Sequence, residues 1–312
     1  MRITVVGAGI SGLRCATLLQ SAGHEVSVLE KSRGASGRLS SKRTPHGSVD
    51  MGVQYLESNS KAFDAFLTAE VESGDIVDWS FDNSTNLHYL PIPRMSMMAK
   101  KMAETVTIKP QHRVESIQKK DKWLLHVESG DSVESDAVVL AVPAPQAVPL
   151  LDVIPEWKAR VSTVSFLPTW TMIVSFESSL KTSIGAQKVS DGPLKWICNN
   201  SQKPGREKSV ETWIMHASDE WSRLSVSLDK DRVGEALLRA FFHQLGCDPI
   251  EPIFSHVHRW LYAQPETNLG IPFLSDSALK MGVCGDWCLG DSVSHAFDSG
   301  AQLAKEILNK WG

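Results

Sequence analysis

The spacing of apolar residues along the chain changes twice within the first thirty residues. Residues 2–6 form a short, apolar, β-branched run, residues 13–22 carry apolar side chains at helical spacing, and residues 25–30 form a second apolar run. Gly23 follows the helical stretch, where a glycine favours the end of a helix. A strand, a helix and a second strand in this order predict a β-α-β unit with buried parallel strands.

The turn between the first strand and the helix is rich in glycine. Gly7, Gly9 and Gly12 would permit a tight turn, the close approach of a pyrophosphate and close helix–strand packing. Glu30 ends the second strand, where a carboxylate accepts hydrogen bonds from ribose hydroxyls. The unit predicts a dinucleotide site at the positive end of the helix, and alone it does not separate NAD from FAD. The predicted contacts are Gly7, Ala8, Gly9, Ile10, Ser11, Gly12 and Glu30.

The hydrophobic periodicity of the rest of the chain predicts two domains. Strands are expected at residues 106–108, 112–117, 123–127, 135–143, 170–176, 194–198 and 210–216. Residues 281–288 are expected to form a strand that ends in a Gly285-Asp286 turn. Helices are expected near residues 63–67, at 95–103, at 232–245 and from Ser292 onward. The strands between residues 106 and 127 are expected to form one inserted meander. The predicted fold class is α/β. A Rossmann-type domain is expected over residues 1–58, 95–160 and 272–312, with a discontinuous α+β substrate domain over 59–94 and 161–271.

Composition argues against several classes of function but does not identify one. The 312 residues carry a net charge of −4 with no long basic run, which argues against a nucleic-acid partner. No apolar run reaches the roughly 18 residues of a membrane span, and the fingerprint at Gly7 leaves no room for a signal peptide. We therefore expect a cytoplasmic protein. Five cysteines form no disulfide framework, and Cys284 and Cys288 have no matching pair, so no metal site is predicted.

The basic turn after Glu30, Lys31-Ser-Arg-Gly-Ala-Ser-Gly-Arg38, resembles the R-x-G-G-R-type turn of the FAD-containing amine-oxidase superfamily, with Ser36 in place of the first glycine of the pair. The resemblance implies FAD, and a topology like that of amine oxidases and p-hydroxybenzoate hydroxylase. It implies that Arg38 contacts the pyrophosphate, with solvated surface charge as the alternative for this arginine. The further cofactor contacts that it implies are Lys31, Gln54, Val114, Gly285, Asp286 and Val293. No cysteine can be assigned to a flavin bond, so non-covalent FAD is expected.

Several segments resemble one branch of that superfamily, the bacterial renalase-like flavoproteins. They lie at residues 50–55, 141–146, 200–206, 213–218, 258–263 and 285–288. The resemblance implies oxidation of the misreduced 2- and 6-dihydro isomers of NAD(P)H by oxygen, with NAD(P)⁺ and hydrogen peroxide as products. One departure lies before the last helix, where this chain has Ser294-His295-Ala296 and the family commonly has E-G-A.

No catalytic side chain is assigned, because the flavin carries the chemistry. Candidates for the substrate pocket are Tyr55, Asn200, Lys203, His216, Trp260, Tyr262 and His295. Core packing for the aromatic residues, solvated loop charge for Lys203 and a structural role for His216 stay open as alternatives. The expected partners are a small dinucleotide substrate and molecular oxygen, and the chain is expected to be a monomer or a weak homo-oligomer. A flavin amine oxidase and a non-catalytic flavin-binding regulator are the alternative functions.

Overall fold

The computed structural model describes residues 1–81 and 87–311, which contain a mixed set of strands and helices. The strands are β1 (Arg2–Val6), β2 (Glu25–Glu30), β3 (Ser41–Thr44), β4 (Gly47–Asp50), β5 (Ile76–Asp78), β6 (Tyr89–Pro91), β7 (Thr107–Pro110), β8 (Val114–Lys119), β9 (Trp123–Val127), β10 (Ser132–Ser135), β11 (Ala137–Leu140), β12 (Phe166–Phe176), β13 (Ala186–Lys188), β14 (Leu194–Asn199), β15 (Glu211–Ala217), β16 (Phe254–Pro265), β17 (Leu274–Asp276) and β18 (Met281–Val283).

The helices vary widely in length. They are α1 (Ile10–Ser21), α2 (Lys61–Glu72), α3 (Ser96–Ala103), α4 (Ala144–Ala147), α5 (Pro155–Val161), α6 (Asp219–Leu224), α7 (Lys230–Leu245), α8 (Asp286–Leu289) and α9 (Val293–Lys310). Among the described residues, no helix is both long enough and apolar enough to cross a membrane.

The predicted β-α-β unit is the centre of a six-stranded sheet with the order β17-β18-β11-β1-β2-β7. Strands β18, β11, β1, β2 and β7 run parallel, and β17 pairs antiparallel with β18. All four residues of β11 are buried, as an apolar strand in a parallel sheet requires. Helices α1 and α9 pack on each other beside this sheet. The α/β fold class is confirmed.

The predicted meander needs one correction. Its first segment is not part of it, because β7 pairs in parallel with β2 at the edge of the large sheet. Strands β8, β9 and β10 form the three-stranded antiparallel meander instead. Sequence periodicity alone cannot distinguish the two arrangements, since a short edge strand has the same alternation as a meander strand.

The second part of the chain is a five-stranded antiparallel sheet with the order β13-β14-β15-β12-β16. One face of β12 packs Trp170, Met172 and Val174 against Leu237 and Phe241 of α7. Alternate residues of β12 point to the other face. The division between the two domains stays a prediction. Helix α2, at the start of the segment assigned to the substrate domain, packs on α9, with the rings of Phe63 and Phe297 5.1 Å apart.

A buried charge cluster joins the end of β4 to the loop after β14. The Asp50 carboxylate accepts hydrogen bonds from Arg206 Nη2 at 2.5 Å and Nε at 3.1 Å, and Lys203 Nζ lies 3.5 Å from it. All three side chains are 0% exposed. Burial raises the pKa of Asp50, but Lys203, Arg206 and the Met95 amide outweigh burial and hold the pKa below its ordinary value.

Because the partners of Asp50 are themselves buried, removing its charge leaves two cations without compensation. We expect Asp50→Asn to lower the free energy of unfolding by about 3–5 kcal/mol. Urea denaturation followed by circular dichroism measures this change. The control is Glu266→Gln, which breaks the exposed pair with Arg223 and should change stability little. Equal effects of the two substitutions would contradict the role of the cluster.

Candidate active site

A cavity of about 1210 Å³ separates the carboxyl edge of the parallel sheet from the five-stranded sheet. Gly7, Gly9, Glu30 and Ala141 line its nucleotide end. At the other end, the five-stranded sheet contributes a wall that we call the sheet wall. It consists of Thr169, Thr171, Lys195, His216, His258, Arg259, Trp260, Leu261, Tyr262, Ala263 and Gln264.

The backbone at the start of α1 forms a cradle for a phosphate. A Cβ on Gly12 would lie 2.1 Å from the carbonyl oxygen of Gly7, so a glycine is required there. Gly9 differs, because no described atom beyond its chain neighbours lies within 4 Å of the place that its Cβ would occupy. Ser11 lines the cavity, and its buried Oγ has no hydrogen-bond partner among the described residues. A group with several anionic oxygens fits this set of donors.

The Glu30 carboxylate is held in place by the backbone. Its two oxygens accept hydrogen bonds from the amides of Ala8 at 2.9 Å and Ser32 at 2.8 Å. The carboxylate therefore stands at the cavity edge beside the glycine turn. This position suits the ribose contact predicted from its place in the sequence.

Arg38 and Asp286 connect the two ends of the chain across the cavity. Both nitrogens of the guanidinium fork donate to the carboxylate at 2.7 Å, and Arg38 Nη1 also donates to the carbonyl of Ala263 at 3.1 Å. Asp286 is buried, while the Arg38 side chain is 29% exposed. The bidentate contact joins the N-terminal turn to the start of α8, and the hydrogen bond to Ala263 ties the pair to the sheet wall.

The other predicted cofactor contacts fall into two groups. Those that line the cavity besides the cradle residues and the ion pair are Ile10, Lys31, Val114, Gly285 and Val293. Ala8, Gly12 and Gln54 do not line it. The contact predicted for Gln54 is corrected, because this side chain is used within the protein. Its amide nitrogen donates to the carbonyls of Asp50 and Gly52, and its oxygen accepts from Lys203. The neighbouring Gly52 is needed for packing, because a Cβ there would lie 2.0 Å from the Arg38 carbonyl oxygen.

Two histidines of the sheet wall are held neutral. Thr171 pairs with His216 on one side and with His258 on the other, so the three side chains form a row across the sheet. Burial, with Lys195 nearby, lowers the pKa of His216 to about 3. Burial, with His256, Lys230 and Lys42 nearby, lowers the pKa of His258 to about 4. Both rings are therefore uncharged at neutral pH.

Several polar atoms of the sheet wall are available to form hydrogen bonds with a ligand. His216 Nε2 lies 3.2 Å from the Met51 carbonyl, so Nε2 carries the proton and Nδ1 is an acceptor. Thr171 Oγ1 and Trp260 Nε1 are buried and have no partner in the described part of the chain. Lys195 forms an ion pair with Asp219 and lies 3.4 Å from Thr169 Oγ1. The wall thus combines aromatic surface with neutral donors and acceptors.

Three of the seven substrate-pocket candidates, His216, Trp260 and Tyr262, line the cavity. The other four do not, which corrects their prediction. Tyr55 packs into an aromatic cluster with Phe81 and Trp196. Asn200 and Lys203 are buried around Asp50 and Gln54. His295 closes a capping box, where its Nδ1 accepts from the amide of the N-cap Ser292, the residue just before α9. His295 thus has a structural role at the start of α9.

Sequence reasoning missed Thr169, Thr171, Lys195 and His258 of the sheet wall. The signal was present in β12, whose sequence FLPTWTMIVSF places two threonines two residues apart in an apolar strand. Polar residues at that spacing share one face of a strand. The pattern does not show that this face borders a cavity.

Residues 76–308 match the model of the family described as flavin containing amine oxidoreductase, and residues 5–69 match the NAD(P)-binding Rossmann-like domain. The chain belongs to the flavin-containing amine oxidoreductase family. It is 27% identical to mouse renalase over an alignment of 341 positions, which covers 95% of this chain and 94% of renalase. A 4,4'-diapophytoene desaturase of Staphylococcus aureus is 40% identical, but only over 52 residues, 17% of this chain and 10% of the desaturase.

Solved structures agree on the fold. Putrescine oxidase bound to putrescine superposes with a TM-score of 0.75 at 13% identity, over 99% of both chains. A double mutant of the same enzyme gives a TM-score of 0.77 at 13% identity. These identities show the fold alone. The family match makes this protein an FAD-dependent oxidoreductase, and the cradle, Glu30 and the Arg38–Asp286 pair fit the dinucleotide.

Gly9 and Gly12 should respond differently to an added methyl group. Gly9→Ala projects its methyl into the open cavity, so we expect normal folding but at least tenfold weaker FAD binding, because the methyl occupies space needed by the pyrophosphate. Gly12→Ala meets the Gly7 carbonyl and should destabilise the fold itself. Flavin fluorescence titration and thermal unfolding of the apoproteins separate the two effects. Unchanged FAD affinity in Gly9→Ala would place the phosphates elsewhere.

The depressed pKa of His216 predicts a loss of stability in acid. Between its ordinary pKa of 6.5 and its folded pKa of about 3, the unfolded chain binds a proton that the folded chain does not. Its contribution to stability is therefore complete above the ordinary pKa and falls as the pH drops below it. From pH 7.5 to pH 5 this loss amounts to about 2 kcal/mol.

His216→Gln keeps a donor to Met51 but does not titrate, so it should remove that part of the acid loss. Urea unfolding of both proteins at the two pH values measures the difference, and His258 contributes equally to each. The same pH dependence in both proteins would show that His216 is not held neutral.

Proposed function

We propose that this protein oxidises misreduced dihydronicotinamide dinucleotides, the 2- and 6-dihydro isomers of NAD(P)H, with oxygen as the electron acceptor. One dihydronicotinamide, one proton and one oxygen molecule would give one NAD(P)⁺ and one hydrogen peroxide. The similarity to mouse renalase over nearly the whole of both chains supports a common substrate class.

The observation that carries the proposal is the charge of the sheet wall. None of the residues that the five-stranded sheet contributes to the cavity is acidic. Lys195 is already paired with Asp219. The guanidinium of Arg259 lies over the Trp170 ring, on the face of the sheet that packs against α7, so the wall presents no free charge to the cavity. An alkylammonium substrate needs an anion or an open aromatic cage. A neutral dihydropyridine ring suits this uncharged wall better.

The neutral side chains of the wall match a ring with a carboxamide. A carboxamide presents one acceptor and two donors. His216 Nδ1 is an acceptor, Trp260 Nε1 is a donor, and Thr171 Oγ1 serves as either. The aromatic surfaces of Trp260 and Tyr262 provide contact area for a flat ring.

The reaction requires little acid–base catalysis from the protein. A dihydropyridine gains aromaticity when it gives up hydride, so no strong base is needed beside it. FAD supplies a two-electron acceptor that passes its electrons to oxygen. The side chains described here would bind the ring, orient it and exclude water.

Anaerobic stopped-flow absorbance tests the proposal. The purified holoenzyme is mixed with 2-dihydro-NAD(P), 6-dihydro-NAD(P), ordinary NAD(P)H and a panel of amines including putrescine. We expect fast loss of flavin absorbance with the first two and slow or no loss with the others.

Two outcomes would overturn the assignment. Bleaching by an amine alone would make the protein an amine oxidase, in which the aromatic residues of the sheet wall hold a neutral amine. Absence of bleaching by every compound would reject a substrate of either class.

A further inference from the structure

A second, smaller pocket of about 280 Å³ borders the 33–36 loop, which also contributes Gly34 and Ser36 to the main cavity. Its walls are this loop, the β3–β4 hairpin and the start of α3. Four cationic side chains line it, although they are far apart in the sequence. They are Arg33, Arg43, Arg94 and Lys100. We call this site the arginine pocket.

The positive charge of the arginine pocket is not neutralised by the protein. No acidic residue lines it, and none of the four cations forms an ion pair with a described carboxylate. The carboxylate of Asp50 lies behind the pocket wall, where it accepts a hydrogen bond from Ser41, but Arg206 and Lys203 already compensate its charge. Burial, with Arg94 and Arg43 nearby, lowers the pKa of Lys100. The four like charges therefore repel one another, and a bound anion would lower this electrostatic free energy.

The pocket also offers neutral donors. Ser36 is 8% exposed and Ser96 is 4% exposed, and both line the pocket. Their hydroxyl groups have no hydrogen-bond partner among residues 1–81 and 87–311. Ser96 is the first residue of α3, so the positive end of an eight-residue helix adds to the field. Unpartnered hydroxyls beside several guanidinium groups are the donor set of a phosphate site.

We propose that the arginine pocket binds the phosphate or diphosphate group of a small phosphorylated molecule. The site is separate from the phosphate cradle at Gly9, although Gly34 and Ser36 border both cavities. Two sources share this chemistry: the 2′-phosphate of a dinucleotide that extends from the main cavity, and an independent phosphorylated metabolite. The proposal does not depend on the substrate proposed above, because binding is measurable without turnover.

Calorimetric titration of the holoenzyme with inorganic diphosphate, at constant ionic strength set by KCl, tests the site. Bound FAD already fills its own phosphate cradle, so the titration reports on a different location. We expect saturable binding at one site. Arg43→Gln combined with Arg94→Gln should weaken it at least tenfold, because two charged donors are removed.

The matched control carries Arg232→Gln and Arg239→Gln on the exposed surface of α7, and it should bind diphosphate as the parent does. Flavin absorbance per protein confirms that all three proteins carry equal FAD. No saturable binding by the parent, or equal weakening in the control and the pocket variant, would overturn the proposal.

Competition then identifies the source of the phosphate. If NADP⁺ displaces diphosphate and NAD⁺ does not, the pocket takes the 2′-phosphate of a dinucleotide. If neither displaces it, the site belongs to an independent phosphorylated ligand. Both results support an anion site, and both hold even if the stopped-flow test rejects the dihydronicotinamide substrates.

Discussion

The buried carboxylate of Asp50 is the constraint that fixes the active-site cavity. It ends β4 in one part of the chain, and its cationic partners Lys203 and Arg206 come from the loop after β14 in the other. Buried charges tolerate little separation, since each is stable only beside its partners. The segment that follows Asp50 is therefore held between the two sheets. Its Met51 carbonyl accepts from His216 and sets the tautomer of that ring.

A second ion pair acts at the nucleotide end. Arg38 and Asp286 lie 248 residues apart in the chain, and each belongs to a turn expected to contact the cofactor. Their bidentate contact brings the N-terminal fingerprint and the C-terminal turn to one edge of the cavity. Polarity then changes along the cavity, from backbone amides, Glu30 and this ion pair to a wall of aromatic, hydroxyl and neutral imidazole groups. One end suits phosphates and riboses, and the other suits an uncharged ring.

Prediction from sequence succeeded where the signal is local. The glycine turn, the acid at the end of β2 and the helical spacing of α1 lie within thirty residues, and backbone geometry links each to one function. It was wrong where a residue's surroundings come from distant segments. Lys203 and Asn200 have the polarity of substrate contacts, yet both are buried around Asp50. Thr171 resembles an ordinary strand residue, yet the row formed by β12, β15 and β16 places it at the cavity.

The sequence by itself determined the parallel β-α-β unit, the dinucleotide and, through resemblance, the flavoprotein family, because these depend on short-range spacing and backbone freedom. Only the tertiary structure decided which side chains meet at the cavity and which charges are paired. Arg33, Arg43, Arg94 and Lys100 form no run in the sequence, and they share one pocket because a loop, a hairpin and a helix converge there. Electrostatic interaction depends on distance in space, and only folding sets that distance.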